Sequence, residues 1–175
     1  MKKWQFVLAG ALVSLNAFAA PMTIDVKTLP MDLSFERVKG DGSRNMYLFC
    51  DLDCSHCQRT ESFLHSLDNV KIHTFVMPVA SYHPDAPRKT NAIWCSEDKV
   101  KAWQEWYDMR ALPADAKDCA APLEKIDEYA HGQGIYLPAV IFEDGTTYTA
   151  EDFIYATRTP EMLKSLLDEH SAKKK

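Results

Sequence analysis

Residues 46–57 read MYLFCDLDCSHC, an apolar run that is followed closely by two cysteines. The almost continuous apolar segment 46–50 is typical of a central strand that is covered on both faces. Apolar residues then recur at helical spacing over 63–67, which predicts a helix after the strand. Cys54 and Cys57 therefore lie where a buried strand passes into a helix, and this arrangement indicates an α/β fold.

The place of Cys54 favours redox chemistry. A sulfur at a helix N-terminus faces unpaired backbone N–H groups and the positive end of the helix dipole, so we expect the pKa of Cys54 to lie below that of an ordinary cysteine. Cys57 lies within one helical turn and can close a two-residue loop with Cys54. The intervening Ser55 and His56 are expected to tune the redox equilibrium, because protonated His56 stabilises the thiolate and favours an oxidising pair.

Other uses of a C-x-x-C pair remain as alternatives. A zinc site needs a second ligand pair at suitable spacing, and Cys95 and Cys119 stand too far apart in sequence to look like one. Haem attachment needs a histidine directly after the second cysteine, where the chain has Gln58. An inert disulfide with a two-residue loop constrains the unfolded chain only weakly. Redox chemistry is therefore favoured over a metal site or an inert bridge.

The other three of the five cysteines call for different interpretations. Cys95 and Cys119 lie at the edges of helical segments, and a bridge between them would stabilise the fold by about 3 kcal/mol in the chain-entropy model. Cys50 lies within the apolar strand and is predicted to be a buried free thiol that packs as a small hydrophobe. A resolving or regulatory role for Cys50 is the alternative, because it lies four residues before Cys54.

Composition narrows the function classes. The 175 residues are 46% hydrophobic and 26% charged, which is typical of one globular domain. The formal net charge is −5 and the chain has no basic stripe, which argues against nucleic-acid binding and anionic membranes. The predicted chemistry needs no dissociable cofactor and no metal.

Residues 1–20 are predicted to be a cleaved signal peptide. Lys2 and Lys3 precede an apolar run at 4–15, and Ala17-Phe18-Ala19 offers small residues at a cleavage site. The apolar run is too short to span a bilayer comfortably, and a retained anchor is the alternative. We therefore expect export to the periplasm.

Residues 21–175 are expected to form one α/β domain. A brief alternation around Leu33 and Phe35 suggests a strand after an extended arm or short strand. The predicted order after residue 46 is a strand, a helix, a strand at 70–79, a helical insert at about 82–134, a hairpin at 139–149 and a helix after Pro160. The apolar side of this last helix carries Met162, Leu163, Leu166 and Leu167. Asp144-Gly145 between the last two strands is a hairpin signal.

The segment 49–57 resembles the F-x-D-x-x-C-x-x-C strand-to-helix motif of the periplasmic DsbC/DsbG-type thiol:disulfide interchange proteins. The similarity continues through the helical insert with its paired cysteines, through 137–140 and 144–146, and into 162–170. It covers roughly 35–170, and several spaced motifs in the right order make it specific.

The resemblance implies a thioredoxin-like fold with an inserted helical subdomain. It implies that Cys54 is the attacking thiol and Cys57 the resolving thiol. It also implies that Pro138 is a cis-proline that helps to hold substrate peptide, with Leu137 beside it at the groove. A bridge between the cysteines of the insert is implied as well.

Three features depart from the family pattern. The arm before Leu33 is too short for the N-terminal dimerisation domain of these isomerases, so the chain looks like the catalytic domain alone, as a monomer or weak dimer. His56 is more like the corresponding residue of the oxidase DsbA. Leu137 replaces the threonine that typically precedes the cis-proline, which suggests a shifted substrate preference.

The predicted function is thiol–disulfide exchange with exported proteins, as an isomerase or reductase that works with a membrane thiol reductant. A DsbA-like oxidase with a membrane oxidant is the alternative within the same class. Asp51 or Asp53 is a candidate for assisting proton movement, although a solvated charge is favoured for Asp53. The alternatives from other classes are a periplasmic copper carrier that uses Cys54 and Cys57 with Met77 or His56 nearby, and a non-catalytic peptide-binding scaffold.

Overall fold

A mixed β-sheet with helices on both faces organises the chain. The computed structural model describes residues 22–114 and 116–171, and the predicted signal peptide lies outside them. The strands are β1 (Met22–Thr23), β2 (Phe35–Lys39), β3 (Arg44–Cys50), β4 (Val70–Val76), β5 (Ala139–Phe142) and β6 (Thr146–Thr149). The helices are α1 (Ser55–Leu64), α2 (Ala86–Trp94), α3 (Lys99–Met109), α4 (Leu123–Gly132), α5 (Ala150–Ala156) and α6 (Pro160–His170).

The sheet has the order β1-β6-β5-β3-β4-β2, which places β3 in its interior. β3 and β4 are parallel, whereas the other neighbours are antiparallel. A parallel pair needs a crossover connection, and α1 provides it. The start of α1 therefore lies at the end of a central strand, as the sequence predicts, and the expected α/β fold class is observed.

Side chains of β3 alternate between two cores. Met46, Leu48 and Cys50 belong to the core that contains residues of α1, α3 and α6. Phe49 belongs to the core on the opposite face, with Ile126 of α4. This period-two alternation follows from the strand backbone, and it directs Cys50 towards the face that α1 covers.

The segment predicted as a helical insert contains α2, α3 and α4. A disulfide joins Cys95, at the end of α2, to Cys119 in the connection between α3 and α4, with a Cα–Cα distance of 5.8 Å. Trp103 of α3 is fully buried and packs edge-on against Phe35 of β2. The insert therefore shares the main hydrophobic core.

Several boundaries differ from the sequence predictions. β4 ends at Val76 rather than at residue 79, because the following chain turns and the Val79 N–H donates to the Asp51 carboxylate. α5 was not predicted. In α6 Leu163 and Leu167 are buried, but Met162 is 39% exposed, because it is rotated away from the face that those two leucines share.

None of the helices within 22–114 and 116–171 combines the length and the apolar character that a membrane crossing requires.

Candidate redox site

Cys54 is the N-cap residue of α1. Its backbone is extended, with φ −70° and ψ 121°, and its side chain is half-buried. The backbone N–H groups of His56 and Cys57 lie near its sulfur and act to lower its pKa, although the side chain forms no capping hydrogen bond. These are two of the N–H groups that the first turn of a helix leaves without intrahelical partners, so the helix start favours negative charge on this sulfur.

Cys57 lies between two other sulfurs. The thiols of Cys54 and Cys50 both lie close enough to Cys57 to shift its pKa. The backbone N–H of Asp51 also donates to Cys57 Sγ over 3.3 Å. Cys50 and Cys57 have no exposed surface, and all three cysteines are free thiols in this structure. The structure thus brings together a half-buried thiol and two buried ones.

The expectation that the pKa of Cys54 lies below the ordinary value is wrong for this dithiol. The hydrogen bond with Cys57, followed by partial burial, raises the pKa of Cys54, and the two backbone N–H groups only oppose that rise. Burial is the largest cause that raises the pKa of Cys57 well above the ordinary value. Burial likewise raises the pKa of Cys50. The helix start was visible in the sequence, whereas the contact between the thiols depends on the folded geometry.

Asp51 is a buried carboxylate that directly follows Cys50 in the sequence. Its Oδ1 accepts the N–H of Asp53 over 2.8 Å, and its Oδ2 accepts the N–H of Val79 over 2.7 Å. Oδ2 also lies 2.8 Å from Nδ1 of His83, whose side chain is 28% exposed. The carboxylate therefore ties the end of β3 to the loop that follows β4. A role for Asp51 in proton movement stays a prediction.

Asp53 is paired rather than simply solvated. Lys89 of α2 contacts both of its carboxylate oxygens, at 2.8 and 2.9 Å. The same ammonium lies 5.0 Å from the centre of the Trp106 ring, and Trp106 Nε1 donates to the carbonyl of Leu52 over 3.3 Å. Helices of the insert thus fix the turn that precedes Cys54.

Ser55 and His56 are exposed at the start of α1. The backbone N–H of His56 lies near the Cys54 sulfur and acts to lower its pKa. Tuning by the imidazole, which the sequence suggested, stays a prediction.

Leu137 and Pro138 lie at the same end of the sheet. The peptide bond between them is cis. The antiparallel register pairs Phe49 with Ala139, so Pro138 follows in register opposite Cys50. Pro138 is buried and Leu137 is half-buried against both cores. Both residues therefore lie near the end of β3, whereas the substrate groove and its use by peptide stay predictions.

Met77, one of the residues considered for copper binding, does not lie with Cys54 and Cys57. Met77 belongs to the core on the face of the sheet opposite to the one that contains Cys57. Over 22–114 and 116–171, no group of three or more histidine, cysteine, aspartate or glutamate side chains has the arrangement of a metal site.

Three side chains of the site were missed from the sequence. His83, Lys89 and Trp106 lie roughly 30 to 50 residues after the turn they contact. His83 follows Pro78 in a polar loop and Lys89 lies on a helix, so neither carried a local signal. Their roles arise only when the insert packs on the strand end.

Comparison with known proteins identifies related chains. A family model described as a thioredoxin-like domain matches residues 31–169. The probable thiol:disulfide interchange protein DsbC of Bordetella parapertussis is 38% identical over 120 residues, which cover 67% of this chain and 41% of that protein. DsbC of Escherichia coli K12 is 24% identical over 128 residues, covering 70% and 50%. The chain thus spans about half the length of these relatives or less.

A solved structure of a disulfide interchange protein from Neisseria gonorrhoeae superposes with a TM-score of 0.73 at 26% identity. The match covers 83% of this chain and all of the Neisseria chain. The catalytic domain of ScsC from Proteus mirabilis superposes with a TM-score of 0.59 at 15% identity, which supports the fold alone.

Proposed function

The chain belongs to the thioredoxin-like domain family, among relatives of the DsbC type, and on this basis we propose that it exchanges disulfides with exported proteins through Cys54 and Cys57. The observation that carries the proposal is the half-buried Cys54 at the start of α1, one helical turn from the buried Cys57.

The reaction begins at Cys54. Its thiolate attacks one sulfur of a substrate disulfide, which gives a mixed disulfide and a substrate thiolate. The N–H groups of His56 and Cys57 offset part of the rise in the pKa of Cys54, which assists its departure when a second substrate thiol resolves the mixed disulfide.

The burial of Cys57 favours isomerisation over rapid reduction. Its raised pKa keeps most of the resolving thiol protonated at neutral pH, and this slows its attack on the mixed disulfide because the thiolate is the nucleophile. A second thiol of the substrate then has time to attack the mixed disulfide. The result is a rearranged substrate and a regenerated Cys54.

Leu137 and Pro138 flank the peptide that carries the substrate disulfide. Their register opposite the end of β3 supports this placement. The proposed clients are periplasmic proteins with incorrect disulfides or free thiols, and a membrane thiol reductant returns Cys54 and Cys57 to the dithiol. The disulfide between Cys95 and Cys119 suits such an oxidising compartment.

A DsbA-like oxidase is the second candidate, because an exposed histidine stands between the cysteines. A protonated imidazole near Cys54 would stabilise the thiolate and make the disulfide more oxidising.

Equilibration with glutathione and refolding of a scrambled multi-disulfide protein separate the two functions. A moderately oxidising pair that rescues the scrambled substrate is expected, with the rescue abolished in Cys54→Ala. A strongly oxidising pair that oxidises reduced substrate without rescue would favour the oxidase. Absence of both exchanges would refute the proposed function.

A further inference from the structure

Cys50 contributes a third sulfur to the site. It is the last residue of β3, and the alternation of that strand directs its side chain to the face covered by α1. Cys57 is the third residue of α1 and lies in the same core. The two side chains therefore approach each other from a strand end and from a helix start.

The contact between Cys50 and Cys57 rests on two observations. Both side chains are fully buried in one core cluster, and each thiol shifts the pKa of the other. Independently, the N–H of Asp51 lies 3.3 Å from Cys57 Sγ, which places this sulfur against the peptide that joins Cys50 to Asp51. Cys57 thus has Cys54 as one thiol partner and Cys50 as the other.

We propose that Cys50 is a second disulfide partner of Cys57, so that the oxidised site exchanges between a Cys54–Cys57 and a Cys50–Cys57 disulfide. This inference rests on the proposed function, because that exchange reaction supplies the first disulfide.

The exchange between the two disulfides involves only the three cysteines of the protein. The Cys50 sulfur attacks Cys57 Sγ, the bond between Cys50 and Cys57 forms, and the bond between Cys54 and Cys57 breaks. The electron pair leaves with Cys54 Sγ, which takes up the proton that Cys50 gives up. The oxidation state of the protein does not change, so the step needs no outside oxidant.

The environments of the two outer sulfurs set the direction of the step. Charge that develops on Cys54 meets the N–H groups of His56 and Cys57 and a half-exposed surface. Cys50 has no exposed surface and gains a buried covalent partner. The consequence is an oxidised form in which Cys54 is still free to attack a substrate disulfide.

Trapping of the free Cys54 tests the exchange. Wild-type protein is oxidised with glutathione disulfide and separated from the glutathione. The folded protein is then incubated with N-ethylmaleimide. Alkylation of Cys54 is irreversible, so each molecule that forms the Cys50–Cys57 disulfide is removed from the exchange. Labelled protein therefore accumulates even if this form is the minor one. We expect nearly all of the oxidised protein to gain one maleimide on Cys54 over time. Oxidised Cys50→Ala, the matched control, should gain none.

Peptide mapping identifies the bridge. A protease that cleaves before aspartate separates 41–50, which carries Cys50, from 53–67, which carries Cys54 and Cys57. A Cys50–Cys57 disulfide links the two peptides, whereas a Cys54–Cys57 disulfide leaves 41–50 unlinked. The labelled wild-type protein should yield the linked peptides, and reduction should separate them.

A second variant gives an independent readout. Oxidised Cys54→Ala should lose the mass of two hydrogen atoms and yield the linked peptides, whereas Cys54→Ala/Cys50→Ala should keep its full mass.

Different results contradict the proposed function and the role of Cys50. A wild-type protein that forms no disulfide with glutathione contradicts the proposed function. The role of Cys50 is overturned if the wild-type protein forms a disulfide with glutathione disulfide but then gains no maleimide, while Cys54 of the reduced protein is fully labelled. Retention of both thiols in oxidised Cys54→Ala overturns it as well.

Discussion

Replacement of Asp51 by alanine is expected to destabilise the site and the domain together. The carboxylate accepts the N–H groups of Asp53 and Val79 and contacts the ring of His83. No water-exposed surface remains on Asp51, so solvent cannot replace it without a rearrangement. Alanine therefore leaves two partly buried backbone donors without their acceptor.

The magnitude follows from those two donors. A buried donor that loses its partner costs about 1 to 3 kcal/mol, and bonds to a charged acceptor lie at the upper end. His83 is partly exposed and regains a partner from water, so it adds little. Asp51→Ala should lower the free energy of unfolding by about 4 kcal/mol, a large share of the roughly 5 to 15 kcal/mol of an ordinary domain.

Asp51→Asn is the matched comparison. It keeps an oxygen for the N–H of Asp53 but turns an amide donor towards the N–H of Val79. One bond is lost, so the expected loss is about 1 to 3 kcal/mol. His83→Ala removes only the partly exposed contact and should cost less than about 1 kcal/mol.

Urea unfolding followed by tryptophan fluorescence, with the disulfide of the insert kept intact, measures these differences. We expect the free energy of unfolding to decrease from the wild type to Asp51→Asn and again to Asp51→Ala. A loss below about 1 kcal/mol in Asp51→Ala would refute it, because the N–H groups would then have other acceptors.

Three further predictions concern the cysteines and one buried hydroxyl. Cys95→Ala/Cys119→Ala opens a bridge between residues 24 apart and should cost about 3.5 kcal/mol in urea unfolding; an unchanged midpoint would contradict this. Iodoacetamide should label Cys54 alone in the reduced native protein, because burial protects Cys57. The rate should rise about tenfold per pH unit from about pH 7 to about pH 9, because the raised pKa of Cys54 keeps this thiol mostly protonated there. A pH-independent rate would mean that the N–H groups of the helix start lower the pKa of Cys54 more than Cys57 and burial raise it. Within the described residues the buried Tyr107 hydroxyl has no hydrogen-bond partner, so Tyr107→Phe should leave stability unchanged or raise it by about 1 kcal/mol in the same urea assay, and a clear loss would reveal a partner.

Local patterns predicted the centre of the fold well. The apolar run of β3, the helical spacing after Cys54 and the Asp144-Gly145 hairpin signal each reflect the backbone geometry of one element. α5 was missed because it has only seven residues and begins at Ala150, whose φ of 48° depends on its surroundings. Propensity alone does not mark so short an element.

The site was predictable only where its residues are neighbours in sequence. Cys54 and Cys57 stand three residues apart, so the motif itself placed them at one helix start. The contact of His83 with Asp51 joins residues 32 positions apart and requires the folded loop after β4. The same reason explains the pKa of Cys54, which depends on how closely Cys57 packs against it.

Trapping of a mixed disulfide tests the central claim most directly. A Cys57→Ala variant is mixed with a substrate protein that contains a strained disulfide, quenched with acid and mapped by mass spectrometry. Cys54 should carry the substrate through a disulfide, and Cys54→Ala/Cys57→Ala should carry none. Substrate attached at Cys50, or no covalent complex while the variant remains folded, would contradict the assignment of Cys54 as the attacking thiol.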